Sequence, residues 1–170
     1  MIDKSTYVFF RLYGELFAID VKNVVETMEM VELTPVPETP NFMKGVTIFR
    51  GNILPVICLR LKFKLEEAPD NQEQFIIVTK YEKENKKQEI GLVVDKIVDV
   101  RDLSTLDIND FPEIGSRYNL EFINGLVKHE NTIAIILNIE KILSSVEIDM
   151  INKSTTEFDV LNDDRENNDK

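Results

Sequence analysis

Gly45-Val46-Thr47-Ile48-Phe49-Arg50-Gly51-Asn52-Ile53-Leu54-Pro55-Val56-Ile57-Cys58-Leu59 is the stretch on which the fold turns. Two apolar runs, Val46 to Phe49 and Ile53 to Leu59, flank Arg50-Gly51-Asn52. β-branched runs on either side of a Gly-bearing turn predict two strands. Just ahead of them stands Phe42-x-x-Gly45-Val46, which returns later as Phe122-x-x-Gly125-Leu126. At the same 80-residue spacing Ile53, Val56, Ile57, Leu59 and Phe63 fall on Ile133, Ile136, Leu137, Ile139 and Leu143. An earlier block repeats at another spacing: Ile19-Asp20 matches Val94-Asp95, and Val24-Val25-Glu26 matches Ile97-Val98-Asp99. The order of features is the same in both copies: hairpin, Asp, apolar pair with an acid, irregular connector, Phe-x-x-Gly, strand, turn, strand. The chain therefore reads as two similar β units. Each has about five short strands, which suits a small barrel, because closure removes exposed edges.

The rest of the chain fits this frame. Tyr7 to Tyr13 and Leu16 to Ile19, joined at Gly14-Glu15, predict a hairpin. Asp20 is placed to cap a single helical turn ahead of Val24. Pro35, Pro37 and Pro40 make the next segment a rigid connector. The polar break at residues 64–73 separates the units, at about 5–66 and 72–145, with the boundaries left open to intertwining. Strands are expected at Gln74 to Tyr81, Glu89 to Asp95, Gly125 to Lys128 and Thr132 to Leu137. Ile139, Ile142, Leu143 and Val146 then recur at helical spacing behind Asn138, a suitable N-cap. Ile148, Met150 and Ile151 extend that pattern, but residues 149–170 are expected to form a disordered acidic tail.

Composition excludes several functions. Of 170 residues, 31 are acidic and 20 basic, a net charge of -11. Eight of the acids lie from Glu147 onward, against three bases. Such a chain repels phosphate backbones, and no basic patch offsets it, so nucleic acid is not an expected partner. The apolar runs are far shorter than a membrane helix requires, and no signal peptide is visible at Met1 to Thr6. One Cys and one His cannot supply a Cys/His zinc site. Cys58 reads as a buried structural thiol, and His129, in Lys128-His129-Glu130-Asn131, as a solvated turn residue. Asp107-Ile108-Asn109-Asp110 begins like a calcium loop, but Pro112 and Tyr118 stand where that loop needs Gly and Glu. Asp95 and Asp99 read as turn and capping residues that also carry surface charge. No Gly-rich phosphate loop and no nucleophile beside a base is found, so neither catalysis nor a cofactor is expected. An interaction protein remains. Arg50 is expected to be exposed at its turn, while Gly45 and Gly91 at strand starts mark a bulge or a close backbone approach.

The stretch from Gly45 to Arg60 closely resembles the CheW family of bacterial chemotaxis coupling proteins, in which it reads roughly G-V-x-x-L-R-G-x-x-[IV]-P-V-[IV]-D-L-R. Phe17-Ala18-Ile19-Asp20, Pro37-x-x-Pro40-x-Phe42-x-x-Gly45, Gly91-Leu92-Val93-Val94-Asp95-x-Ile97 and Ile136-Leu137-Asn138-Ile139-x-x-Ile142-Leu143 extend the likeness over residues 5–145. The resemblance implies a mainly β fold of two intertwined, SH3-like five-stranded barrels around separate cores, with short helices and a C-terminal helix, in a CheW-like domain spanning about 5–148. It implies an adaptor between the regulatory domain of the histidine kinase CheA and the cytoplasmic tips of chemoreceptors. Such a protein lies in the cytoplasm at receptor arrays and meets the membrane only through receptors. Residue by residue, Arg50 and Glu26 match the family's exposed Arg and Glu at the partner surface. Val24, Gly45, Gly91 and Ile97 match positions associated with receptor contact. Cys58 stands where Asp is usual, removing a charge beside Leu59-Arg60, and Phe49 stands where Leu is usual. An isolated regulatory domain of the kinase, or the adaptor half of a fusion to a receiver domain, is the alternative. It is less expected, because Met1 leads almost directly into the first strand and no receiver follows.

Overall fold

The computed structural model describes residues 3–83, 85–112 and 120–168, with the side chains of the C-terminal helix as far as Thr156. Its strands are β1 (Lys4–Leu12), β2 (Glu15–Asp20), β3 (Val24–Glu29), β4 (Met43–Phe49), β5 (Asn52–Cys58), β6 (Phe75–Lys83), β7 (Lys86–Val94), β8 (Lys96–Ser104), β9 (Ile123–His129) and β10 (Thr132–Leu137). Two short helices, α1 (Leu59–Lys62) and α2 (Ile139–Ile142), follow β5 and β10, and α3 (Ser145–Asn168) ends the described chain. The strands form two five-stranded sheets, ordered β8-β1-β2-β10-β9 and β3-β6-β7-β5-β4. Each contains one parallel pair, β2 with β10 and β5 with β7. The segment after each outer strand bridges back to the opposite edge, Thr34 to Val46 and Asn109 to Leu126. The expected mainly β fold of two SH3-like barrels is present. Below, these are the β1 barrel and the β5 barrel.

The repeat is real, but its units do not fold separately. β1 and β2 join β8, β9 and β10, while β6 and β7 join β3, β4 and β5. Each unit gives its first hairpin to the other. The intertwining left open for the segments 5–66 and 72–145 takes this form: each sheet draws strands from both segments. The chain changes barrel at the two repeated aspartates. At Asp20 the carboxylate accepts the Lys22 N–H at 2.9 Å and caps the 3-10 turn Val21–Asn23, turning the chain away from β2. Asp95 occupies the matching place between β7 and β8.

Hairpin exchange explains why the apolar runs are continuous. Strands buried on one face alternate, whereas strands buried on both faces do not. Phe9, Leu16, Ala18, Ala134 and Ile136 fill the β1 barrel. Leu54, Val56, Ile76, Val78 and Val93 fill the β5 barrel. Their neighbours Phe10, Phe17, Ile19, Ile57, Ile77, Leu92, Val94 and Leu137 point the other way, into a third and larger cluster shared by both barrels. Separate cores are therefore only part of the packing. The edge strands β3 and β8 bury little, and periodicity alone does not reveal them.

The 80-residue repeat also appears as matched hydrogen bonds. The Cys58 N–H donates to the Phe42 carbonyl and the Asn138 N–H to the Phe122 carbonyl, both at 2.7 Å. Lys62 Nζ lies 4.9 Å from the Phe42 ring centre and 5.5 Å from that of Phe122, between the two copies. The glycine of Phe-x-x-Gly admits the bridging segment. A Cβ on Gly45, at φ +145°, would sit on the Thr34 carbonyl, and one on Gly125 would lie 2.8 Å from the Asn109 carbonyl oxygen.

The C-terminus departs from expectation. Instead of disorder from residue 149, the backbone stays helical to Asn168. Ile148 and Ile151 are buried in the shared core. The Glu147 carboxylate receives two hydrogen bonds from Lys62 Nζ, at 2.8 and 3.0 Å, and one from the Ser144 N–H. Composition alone misses these anchors, which sit at the start of an otherwise polar helix.

Candidate functional site

The β4–β5 turn places Arg50 and Gly51 at φ 50° and 80°. Two successive left-handed residues make the tight hairpin turn whose twist suits antiparallel strands. This geometry projects Arg50 outward, with its side chain 62% exposed. Its guanidinium lies 5.0 Å from the Phe49 ring centre, and Nη2 stands 4.0 Å from Glu26 Oε2 on β3. That separation exceeds hydrogen-bond length, and exposed pairs of this kind contribute about 0–1 kcal/mol to folding. The guanidinium thus keeps donors for a partner. Ile48, two residues before Arg50, is 67% exposed and faces Ile53 across the hairpin. Sequence reasoning missed Ile48. The signal was an apolar run reaching to within one residue of an exposed Arg, without the polar alternation a one-faced strand requires.

The structure separates the other expected contact residues into two groups. Val24 and Ile97, at the starts of β3 and β8, are half-buried and lean on the shared core, each just past a crossover. Gly45 and Gly91 are buried. Gly45 makes room for Thr34, and a Cβ on Gly91 would lie 2.9 Å from Ile76 Cγ2 and 3.2 Å from Val56 Cγ2, inside the β5 barrel. Both glycines thus fill packing positions within the fold.

The matching corner of the β1 barrel is built differently. By the repeat, His129 stands where Phe49 does, Glu130 where Arg50 does, and Asp99 where Glu26 does. His129 is not a solvated turn residue. Every second residue of β9 from Gly125 points inward, through Val127 to His129. Its ring lies 4.7 Å from that of Phe9, and Nε2 is 3.1 Å from both Asp99 carboxylate oxygens. Arg101 donates to Asp99 at 2.9 Å and to Glu130 at 3.0 Å. Burial alone would raise the Asp99 pKa, but hydrogen bonds from His129 and Arg101 hold it below its ordinary value. Charges at this corner are spent on one another, whereas those at Arg50 are not.

Arg60 and Cys58 have structural roles. Arg60 pairs with Asp95, from the other unit, at 2.6 Å. Cys58 is buried, as expected, and burial pushes its thiol pKa up.

A CheW-like domain model matches residues 6–147. The chain belongs to the CheW-like domain family. The chemotaxis protein CheW of Klebsiella aerogenes is 32% identical over 145 residues, 85% of each chain. That of Helicobacter pylori is 32% identical over 138 residues, 81% of this chain and 80% of its own. The crystal structure of the scaffolding protein TtCheW from Thermoanaerobacter tengcongensis matches with a TM-score of 0.74 at 27% identity, covering 85% of this chain and 91% of that one. CheW relatives are named as chemotaxis and scaffolding proteins, not as enzymes. Most of α3 lies beyond the part that matches the CheW-like model.

Proposed function

We propose that this chain is a non-catalytic adaptor that couples the cytoplasmic tips of chemoreceptors to the regulatory domain of the histidine kinase CheA, in the cytoplasm at receptor arrays. The observation that carries this reading is the β4–β5 hairpin. It presents an exposed Arg50, weakly held by Glu26, beside the exposed Ile48, in a chain of the CheW-like family. A protein that binds two partners needs a rigid body between its surfaces. The shared core and exchanged hairpins supply one. Val24 and Ile97, at the crossovers, are the residues we assign to receptor contact. A receptor tip is a helical hairpin and docks on half-buried apolar side chains of this kind. Among the described residues no helix is long and apolar enough to cross a membrane, so attachment would run through the receptors.

A three-component capture experiment tests the proposal. With a receptor-tip fragment immobilised, the kinase regulatory domain should be retained only when this chain is added. Equal retention without it, or binding to neither fragment, would refute the adaptor reading.

A further inference from the structure

The parallel strands β5 and β7 pair only where Val56, Ile57 and Cys58 meet Gly91, Leu92 and Val93. Before that point they diverge. An open groove of about 540 Å³ lies between residues 52–55 and 87–89, and its third wall is α3, through Asn152, Thr155 and Thr156. This wall is fixed, because Ile151 is fully buried and Glu147 is held by Lys62. The groove is continuous with the candidate partner surface: Phe49 lines it, precedes Arg50, and faces Asn52 across the hairpin.

Thr155 donates its hydroxyl to the Ile151 carbonyl at 2.7 Å, but much of the other polar lining is unspent. The side chains of Asn52, Gln88, Asn152 and Thr156 make no hydrogen bond among the described residues. Gln88 and Asn152 are nevertheless half-buried. A primary amide offers both donors and an acceptor, the complement of a polypeptide backbone. Ile53, also lining the groove, offers an apolar contact. The related groove of the β1 barrel has no helical wall and is lined by Leu126, Ile133 and Ile135, so it suits a different occupant.

We infer that the α3-walled groove, whose lining also carries Lys87 and Glu89, receives an extended loop of the kinase-side partner that engages Arg50. Backbone groups of that loop meet Gln88 and Asn152, and one apolar side chain meets Ile53. Because most of α3 lies outside the CheW-like match, this wall sets which kinase the chain accepts. The inference rests on the adaptor reading.

Two variants test it in the full chain. Thr156→Arg places a long cation in the groove from an exposed helical position, and Gln88→Ala removes one amide. Affinity for the kinase regulatory domain should fall at least about tenfold for Thr156→Arg and about threefold or more for Gln88→Ala. Receptor-tip affinity and melting temperature should stay at parent values. Kinase affinity within about twofold of the parent for both variants would overturn the inference. If Arg50→Ala still weakened kinase binding in that assay, the adaptor reading would survive. If the parent bound no kinase domain, both readings would fall.

Discussion

Arg50 and Arg60 stand at the two ends of β5 and do opposite things. Arg60 and Asp95 side chains are 9% and 10% exposed. Arg60 donates to Asp95 from Nε at 3.0 and 3.1 Å and from Nη2 at 2.6 Å. Asp95 also accepts the Tyr13 N–H at 2.8 Å, and the Tyr13 ring lies under the guanidinium at 5.1 Å. Tyr13 belongs to the β1–β2 turn, Arg60 follows β5, and Asp95 marks the crossover, so the pair fastens one barrel to the other. Arg50 reaches Glu26 only at 4.0 Å, in water. The same two chemical groups hold the fold at one site and remain available at the other. What decides is burial and the number of donors already matched.

The sharpest way to break this contrast is Asp95→Ala. It leaves a buried guanidinium without its counter-charge, which costs about 3–5 kcal/mol. Denaturant unfolding should register that loss, and a change below about 1 kcal/mol would place the pair among surface bridges. Gly91→Val comes next. The added side chain meets Ile76 and Val56 within the β5 barrel, and overpacking of this kind costs about 1–3 kcal/mol. Receptor affinity lost at an unchanged melting temperature would instead return Gly91 to the partner surface.

A smaller effect is expected at α3. Burial alone would raise the Glu147 pKa, but the Lys62 and Ser144 hydrogen bonds hold it below its ordinary value of 4.5. A depressed folded-state pKa adds stability above the unfolded value, and that stability is lost as pH falls through the folded one. The melting temperature of the parent should therefore drop more steeply below pH 4.5 than that of Glu147→Gln. Parallel declines would show that the carboxylate does not secure α3. Smallest of all is Arg50→Ala, whose stability should stay within about 1 kcal/mol of the parent.

Much of this was legible in the sequence, and the parts that were not have physical reasons. The Arg50-Gly51 turn, the Phe-x-x-Gly repeat and the capping Asp20 depend on neighbours in the chain, so local pattern reveals them. Hairpin exchange does not, because a continuous apolar run in β1 or β6 tells that both faces are covered but not which strand lies beside it. Continuous runs such as Ile76-Ile77-Val78 hinted at burial on both faces. That burial proved to be one face in a barrel and the other in the shared core. His129 was misread from its polar neighbours, although counting by two from Val127 points it inward. At the site, the exposure of Arg50 was legible because exposed charge at a turn is a local property. The packing around Gly45 and Gly91 was not legible, because it depends on what crosses a glycine, here Thr34, Ile76 and Val56.

The central claim is that Arg50 is a handle for a partner and not a strut of the fold. Arg50→Ala tests it when binding isotherms with the kinase regulatory domain and the receptor tip are measured beside denaturant unfolding of the same preparation. The account predicts at least about tenfold weaker binding to the kinase domain, as for an interface hot spot, with the unfolding free energy nearly unchanged. Unchanged affinity for both partners, or weaker binding matched by an equal loss of stability, would contradict it.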